Sequence, residues 1–207
     1  MPTLKLTYFD SPGRAEPIRI ALRMSGIPFE DVRLKFPEYS EAKARGDFPL
    51  GSVPVLEADG VKIVQTAAIL RYVARIGGGS LYPTDPWAAL VVDSVIDSLN
   101  DTLSHALLPS LFERDPAKKL AMRKEVAAGP MARVLGYVEA QIARSGGPFV
   151  TGADLSIADL LVAMQVIQIR SGRLEGLDAS LLEPYPHIRA LADAYLAHPR
   201  VTALAAS

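Results

Sequence analysis

Cysteine is absent from the 207 residues, which removes disulfides, thiolate metal sites and cysteine nucleophiles together. Histidine is scarce: His105, His187 and His198 are scattered, with no pair at a metal-binding spacing, so no metal site is expected. Neither sign of charge dominates. Twenty-two Lys and Arg against 23 Asp and Glu leave a formal net charge of −1, which argues against a nucleic-acid partner, because phosphate binding needs a basic face. No apolar run approaches the ~18 residues of a bilayer span, and Met1-Pro-Thr-Leu-Lys5 lacks the apolar stretch of a signal peptide. The expectation is a soluble, cytoplasmic protein with no membrane partner. What the chain does have is apolar material: 49% of it is hydrophobic, enough for a core and too much for intrinsic disorder. Its length over ~150 residues leaves one large domain or two small ones open.

Two kinds of periodicity divide the chain. Leu4 to Phe9 alternates as a short strand does, and Ser11-Pro12-Gly13 turns. Ile18, Ala21, Leu22 and Ser25 then fall on one helical face of a helix starting near Gly13 or Arg14, with Pro17 in its first turn and Gly26 as its stop. Phe29–Leu34 reads as a second strand and 38–46 as a weak helix. Val53–Ala58, Asp59-Gly60 and Val61–Val64 read as a hairpin whose turn residues tolerate φ > 0. Thr66 can cap a helix carrying Ile69, Leu70, Val73 and Ile76, ended by Gly77. The order β-α-β-α-β-β-α predicts a small mixed sheet with helices on its faces over residues 1–77. A Gly/Pro linker is expected over 78–86. From 87 to 207 no strand signal is found: helices are expected at 87–112, at 117–144 with a bend or break at Gly129-Pro130, and at 156–170, with shorter pieces near 178–183 and 186–197. The second half reads as an all-α domain. Its 156–170 helix opens on Ser156-Ile-Ala-Asp159, a capping box, flanked by Leu155 and Leu160 as a hydrophobic staple. That feature reads as structural.

Tyr8 to Arg19 (Tyr-Phe-Asp-Ser-Pro-Gly-Arg-Ala-Glu-Pro-Ile-Arg), Val53-Pro54-Val55-Leu56-Glu57-Ala-Asp-Gly60, Gln65-Thr66 and Ser156-x-x-Asp159 together resemble cytosolic glutathione transferases. The sigma class, with its prostaglandin D synthases, looks nearest. The resemblance covers essentially the whole chain, and four motifs in the right order are far more specific than any one. It implies a thioredoxin-like N-terminal domain, an all-helical C-terminal domain and a homodimer with one active site per subunit at the domain cleft. Glutathione is then a co-substrate and no cofactor is needed.

The thiolate of glutathione is its nucleophile, and a hydrogen-bond donor at the sulfur favours that ionised form. Tyr8, at the C-terminal end of the first strand beside a helix start, stands where ligands of α/β sheets collect. On residues alone it reads equally as a half-buried strand tyrosine; the resemblance makes it the catalytic tyrosine, donating to the thiolate without removing a proton. Arg14 would add positive charge near the sulfur, and its plain alternative is a solvated first-turn arginine. By the same resemblance, Val53 and a cis Val53–Pro54 bond pair with the cysteinyl backbone as an added strand would. Gln65 and Thr66 hold the γ-glutamyl carboxylate, Thr66 alternatively being a plain N-cap. Tyr39 and Lys43 face the glycyl end, Tyr39 standing where a tryptophan is usual. Ser52 replaces a frequent lysine or glutamine, in a loop that looks two residues longer.

Asp93, Asp97 and Asp101 share one helical face, with no Lys or Arg between Trp87 and Phe112 to balance them. A solvated acidic face is the default. Alternatively Arg71 and Arg75 meet them across a two-fold axis, and the resemblance has Asp101 reach the glutathione amine in the neighbouring subunit. Asn100 replaces one of the aspartates at which some prostaglandin synthases bind Mg²⁺, so metal binding is not expected. Phe48 reads as an intersubunit apolar knob or as an ordinary loop anchor. The second-substrate pocket is expected to be apolar, lined by Phe9, Pro12, the helix end near Leu107–Phe112 (Leu108 and Phe112 in particular) and the C-terminal tail. The leading expectation is conjugation of glutathione to small hydrophobic electrophiles. A glutathione-dependent isomerase or peroxidase, and a non-catalytic carrier or structural protein on the same fold, are the alternatives.

Overall fold

The computed structural model describes residues 2–205. The chain divides into two compact units, Met1–Leu81 and Tyr82–Ser207. In the first unit, β1 (Leu4–Phe9) buries alternate side chains, so Leu4, Leu6 and Tyr8 share the inward face. A 3₁₀ turn, Gly13–Ala15, precedes α1 (Glu16–Met24), which therefore begins two residues later than its periodicity suggests, with Pro17 still in the first turn. Then come β2 (Glu30–Leu34), α2 (Phe36–Ala44), β3 (Val55–Ala58), β4 (Val61–Val64) and α3 (Thr66–Ile76). The sheet order is β2-β1-β3-β4, with β1 parallel to β2 and antiparallel to β3, and β3 antiparallel to β4. The β3–β4 turn has Asp59 at φ 48° and Gly60 at φ 84°, the left-handed pair that a two-residue hairpin requires. The buried stripe of α1 (Ile18, Ala21, Leu22) packs on that of α3 (Ile69, Leu70, Val73). The expected βαβαββα order is present.

The second unit is helical: α4 (Pro86–Asp101), α5 (Leu108–Phe112), α6 (Pro116–Val126), α7 (Ala132–Ser145), α8 (Ile157–Arg170), α9 (Pro186–Ala197) and α10 (Pro199–Ala205). Two connections are π-helical, Thr102–Leu107 and Ala127–Met131. The second falls where a bend or break was expected and interrupts the α-helix there without a non-helical gap. Gly129-Pro130 neither breaks nor ends the helix, because the wider i→i+5 turn removes the backbone bond and the carbonyl clash that a proline creates in an α-turn. Among the described residues of this unit the one extended pairing is the bridge Phe149–Gly152.

Two tertiary caps tie the helices down. Glu139 of α7 accepts from the backbone N–H of His187 and Ile188 at the start of α9, both at 2.9 Å, and lies 2.7 Å from His187 Nδ1. Burial alone would raise this carboxyl, but those hydrogen bonds outweigh it and hold it below the usual glutamate value. At α8, Asp159 is fully buried. It accepts from Ser156 N–H (2.7 Å), Ser156 Oγ–H (2.6 Å) and Val150 N–H (2.8 Å), so the capping box also fastens the preceding loop. Burial pushes its pKa up to about 6 against the pull of these bonds.

Candidate functional site

The strand register brings the separate motifs of the first unit to one end of the sheet. Thr7 pairs with Val55, and Val55 with Val64. One residue further along, the same register sets Tyr8, Pro54 and Gln65 side by side, where β1 ends, β3 has yet to begin and β4 gives way to α3. Tyr8 so meets residues from two distant motifs through pairing alone, at the kind of strand terminus where α/β sheets bind ligands.

Tyr8 is 8% exposed. Its Oη accepts a hydrogen bond from the backbone N–H of Arg14 at 3.1 Å. The phenol oxygen is thus held as an acceptor from within, and its own hydrogen is the group left to donate. Gly13 permits this approach: at φ +40°, a Cβ there would stand 2.6 Å from Tyr8 Oη, so any side chain would push the phenol away. Arg19, for which no role was expected, shapes this loop. Fully buried, it donates from Nε to both Asp31 oxygens (3.0 and 3.1 Å) and from Nη1 to Glu16 (3.1 Å) and the Ser11 carbonyl (2.9 Å). Its guanidinium carbon lies 6.0 Å from the Tyr8 ring centroid. An arginine inside an apolar helical stripe, with an aspartate in the next strand, is the signal that could have revealed this buried pair.

At the neighbouring position, Gln65 adopts φ 79° and ψ 111°, a conformation an ordinary side chain rarely takes. The N-cap of α3 is Gln65, without a side-chain cap, and Thr66 is the first helical residue. The expected Thr66 N-cap is therefore not formed. Thr66 is 4% exposed, and its Oγ1 is buried without a hydrogen-bond partner. The helix start thus combines uncapped N–H groups with an unspent buried hydroxyl, the kind of donor set that suits an anion. The Val53–Pro54 bond is cis, as expected.

On the opposite face of the sheet, Phe9 packs on Tyr39 of α2 (ring centroids 4.9 Å apart), and Tyr39 stacks on Phe48 (5.6 Å, 14° between planes). Lys43 Nζ lies 5.8 Å from the Tyr39 ring centroid. Phe48 is 8% exposed within the first unit, which favours the loop anchor over the intersubunit knob. Tyr39 Oη donates to the Gly51 carbonyl at 3.0 Å. Ser52 is exposed on the loop side of Val53, which is itself 9% exposed; Pro12 is exposed on the turn after β1.

Two family models match this chain: the N-terminal domain of glutathione S-transferases over residues 4–75 and their C-terminal domain over residues 100–207. Glutathione S-transferase 1 of Ascaris suum is 35% identical over 167 residues, covering 78% of each chain. The haematopoietic prostaglandin D synthase of Gallus gallus is 30% identical over 203 residues, covering 98% of this chain and 95% of its own. A solved glutathione S-transferase from Ascaris lumbricoides superposes with a TM-score of 0.83 at 30% identity, covering 99% of this chain and 97% of that one. The chain belongs to the glutathione S-transferase family. Sigma-type prostaglandin D synthases are among its relatives, as the motifs suggested.

Within this transferase, the acidic row and the predicted pocket residues Leu108 and Phe112 lie on the second unit. Asp101 ends α4 with its side chain 81% exposed, 4.0 Å from His105 Nδ1. Asp93 Oδ2 accepts from Tyr82 Oη at 2.8 Å, and none of Asp93, Asp97, Arg71 and Arg75 stands free. Leu108 is half-buried and Phe112 is 73% exposed on α5. Among the described residues no cluster of three or more acidic or histidine side chains is arranged to hold a metal ion, and no helix is long and apolar enough to cross a membrane.

Proposed function

We propose that this chain conjugates the thiol of glutathione to small hydrophobic electrophiles, and that Tyr8 stabilises the thiolate. The observation that carries this reading is the Arg14 N–H bond to Tyr8 Oη, which leaves the phenol hydrogen to donate to sulfur. The thiol proton leaves to solvent. The anion then attacks carbon, forming C–S as a halide departs or as a Michael acceptor takes the charge, with no covalent enzyme intermediate. The protein's contribution is to favour the charged sulfur, about 1.4 kcal/mol per pKa unit of lowering, and to hold it beside the electrophile. Arg14 adds positive charge at the same turn. Val53 offers its backbone to the cysteinyl residue, and Gln65, Thr66 and the α3 N-terminus take the γ-glutamyl carboxylate. Lys43 and Ser52 lie toward the glycyl end. Phe9 and Pro12 supply apolar surface for the electrophile on the first unit. Asp101 serves the glutathione amine of a partner subunit in a homodimer acting in the cytoplasm.

A glutathione-dependent isomerase or peroxidase is the second reading, favoured by the prostaglandin D synthase among the relatives; it uses the same activated sulfur. A purely structural role is disfavoured, because a buried unpartnered hydroxyl at Thr66 costs stability without a ligand to use it. Steady-state assays of Tyr8→Phe with glutathione and a chlorodinitrobenzene test the proposal. The expected result is a kcat at least tenfold lower with KM for glutathione little changed; equal turnover removes Tyr8 from the mechanism. The same assay with hydroperoxides and prostaglandin H₂ separates the two enzymatic readings.

A further inference from the structure

We infer that Tyr39 is a positioning residue: its hydroxyl latches the loop ahead of Val53, holding the peptide backbone that receives the cysteinyl residue, and does not itself bind the tripeptide. This rests on the glutathione reading above. Tyr39 Oη has one hydrogen to donate, and it goes to the Gly51 carbonyl at 3.0 Å, two residues before Val53. The ring is fixed on three sides, by Phe9, by Phe48 and by Lys43 above it, so the hydroxyl is aimed by packing and cannot swing to a ligand without breaking that cluster.

The loop from Gly46 to Pro54 needs such a fastening because its own backbone supplies little. It has no regular secondary structure. Its internal bond is a single turn, Gly51 N–H to the Phe48 carbonyl at 2.9 Å, with Gly51 in the left-handed region at φ +63°. At its far end Lys62 Nζ holds the Asp47 carbonyl at 2.9 Å, and Phe48 is pinned by the stack on Tyr39. Between Phe48 and Val53 the Tyr39 hydroxyl is the side-chain tie, on the carbonyl immediately before Ser52. One residue thus anchors the loop twice, through its ring and through its oxygen. A ligand that pairs with the Val53 backbone needs that backbone already in place, since ordering it on binding would be subtracted from affinity.

Tyr39→Phe keeps the ring and removes the latch. The test measures affinity of wild type and Tyr39→Phe for glutathione and for γ-glutamylcysteine, which lacks the glycyl residue, together with backbone amide exchange of Ser52 and Val53 in the free proteins. The expected result is a loss of about three- to tenfold, the size of one neutral hydrogen bond, equal for both peptides, with faster exchange at Ser52 and Val53. Tyr39→His, which can restore a donor, is expected to recover more affinity than Tyr39→Leu. A loss confined to glutathione would make Tyr39 a glycyl contact and overturn the inference, as would no loss at all or unchanged exchange. If wild type binds neither peptide, the glutathione reading fails, while the exchange rates still decide whether the hydroxyl latches the loop.

Discussion

Thr66 concentrates the chemistry of the site in one side chain. Its hydroxyl is buried and makes no hydrogen bond in the free protein, an arrangement that costs about 1–3 kcal/mol. Thr66→Val preserves shape and deletes the orphaned group. It is expected to leave the melting temperature equal or higher while raising KM for glutathione roughly ten- to hundredfold, the size of a hydrogen bond to a charged group. Calorimetry and steady-state kinetics on one preparation check both halves; a lower melting temperature with unchanged KM would mark the hydroxyl as structural. Single residues were also where sequence reasoning reached least far. Tyr8, Val53-Pro54 and Gln65-Thr66 could be found because they sit inside motifs. The positive φ of Gln65 could not, since glutamine has no preference for that region and the strain is imposed by the join between β4 and α3. Nor could the partner of Tyr39, whose carbonyl twelve residues away is brought near only by the fold of the loop.

At the scale of elements, α8 turns on a buried carboxylate. The pKa of Asp159 is pushed up to about 6 in the folded state, above the ~3.9 of an exposed aspartate. The folded chain therefore holds this proton more tightly than the unfolded one, and the stability it contributes is full below pH ~4 and lost as pH rises through about 6. Asp159→Asn removes that titration. In thermal melts at pH 4.5 and 7.5, the stability gap between wild type and variant should be larger at the lower pH, with a change on the order of a few kcal/mol. A gap that is constant, or that widens with pH, would contradict a raised pKa. The capping box and staple were visible in the sequence because caps use few residue types at fixed spacing. The helices at 87–112 and 117–144 were visible in extent, but their π turns were not: an extra residue per turn leaves the apolar spacing on either side nearly intact, and Pro130 reads as a break unless the wider turn is known. Helix α10, seven residues long, offers too few turns for periodicity to register.

For the whole molecule, the division into an α/β unit and a helical unit followed from the change of period near residue 77, because periods of 2 and 3.6 bury different residues. It does not say whether a second copy takes part. Asp101 lies 81% exposed, so Asp101→Ala should leave the melting temperature unchanged. If this carboxylate serves a partner's glutathione, the variant remains dimeric by light scattering and its KM for glutathione rises severalfold; an unaltered KM would make Asp101 an ordinary surface residue. The central claim is narrower and concerns one bond, between a phenol hydrogen and a sulfur anion. Its most direct test is the ultraviolet titration of enzyme-bound glutathione, following thiolate absorbance against pH in wild type and Tyr8→Phe. The account predicts that the bound thiol ionises well below its free-solution pKa in wild type and returns close to that value in the variant. Ionisation at the same pH in both proteins would contradict it.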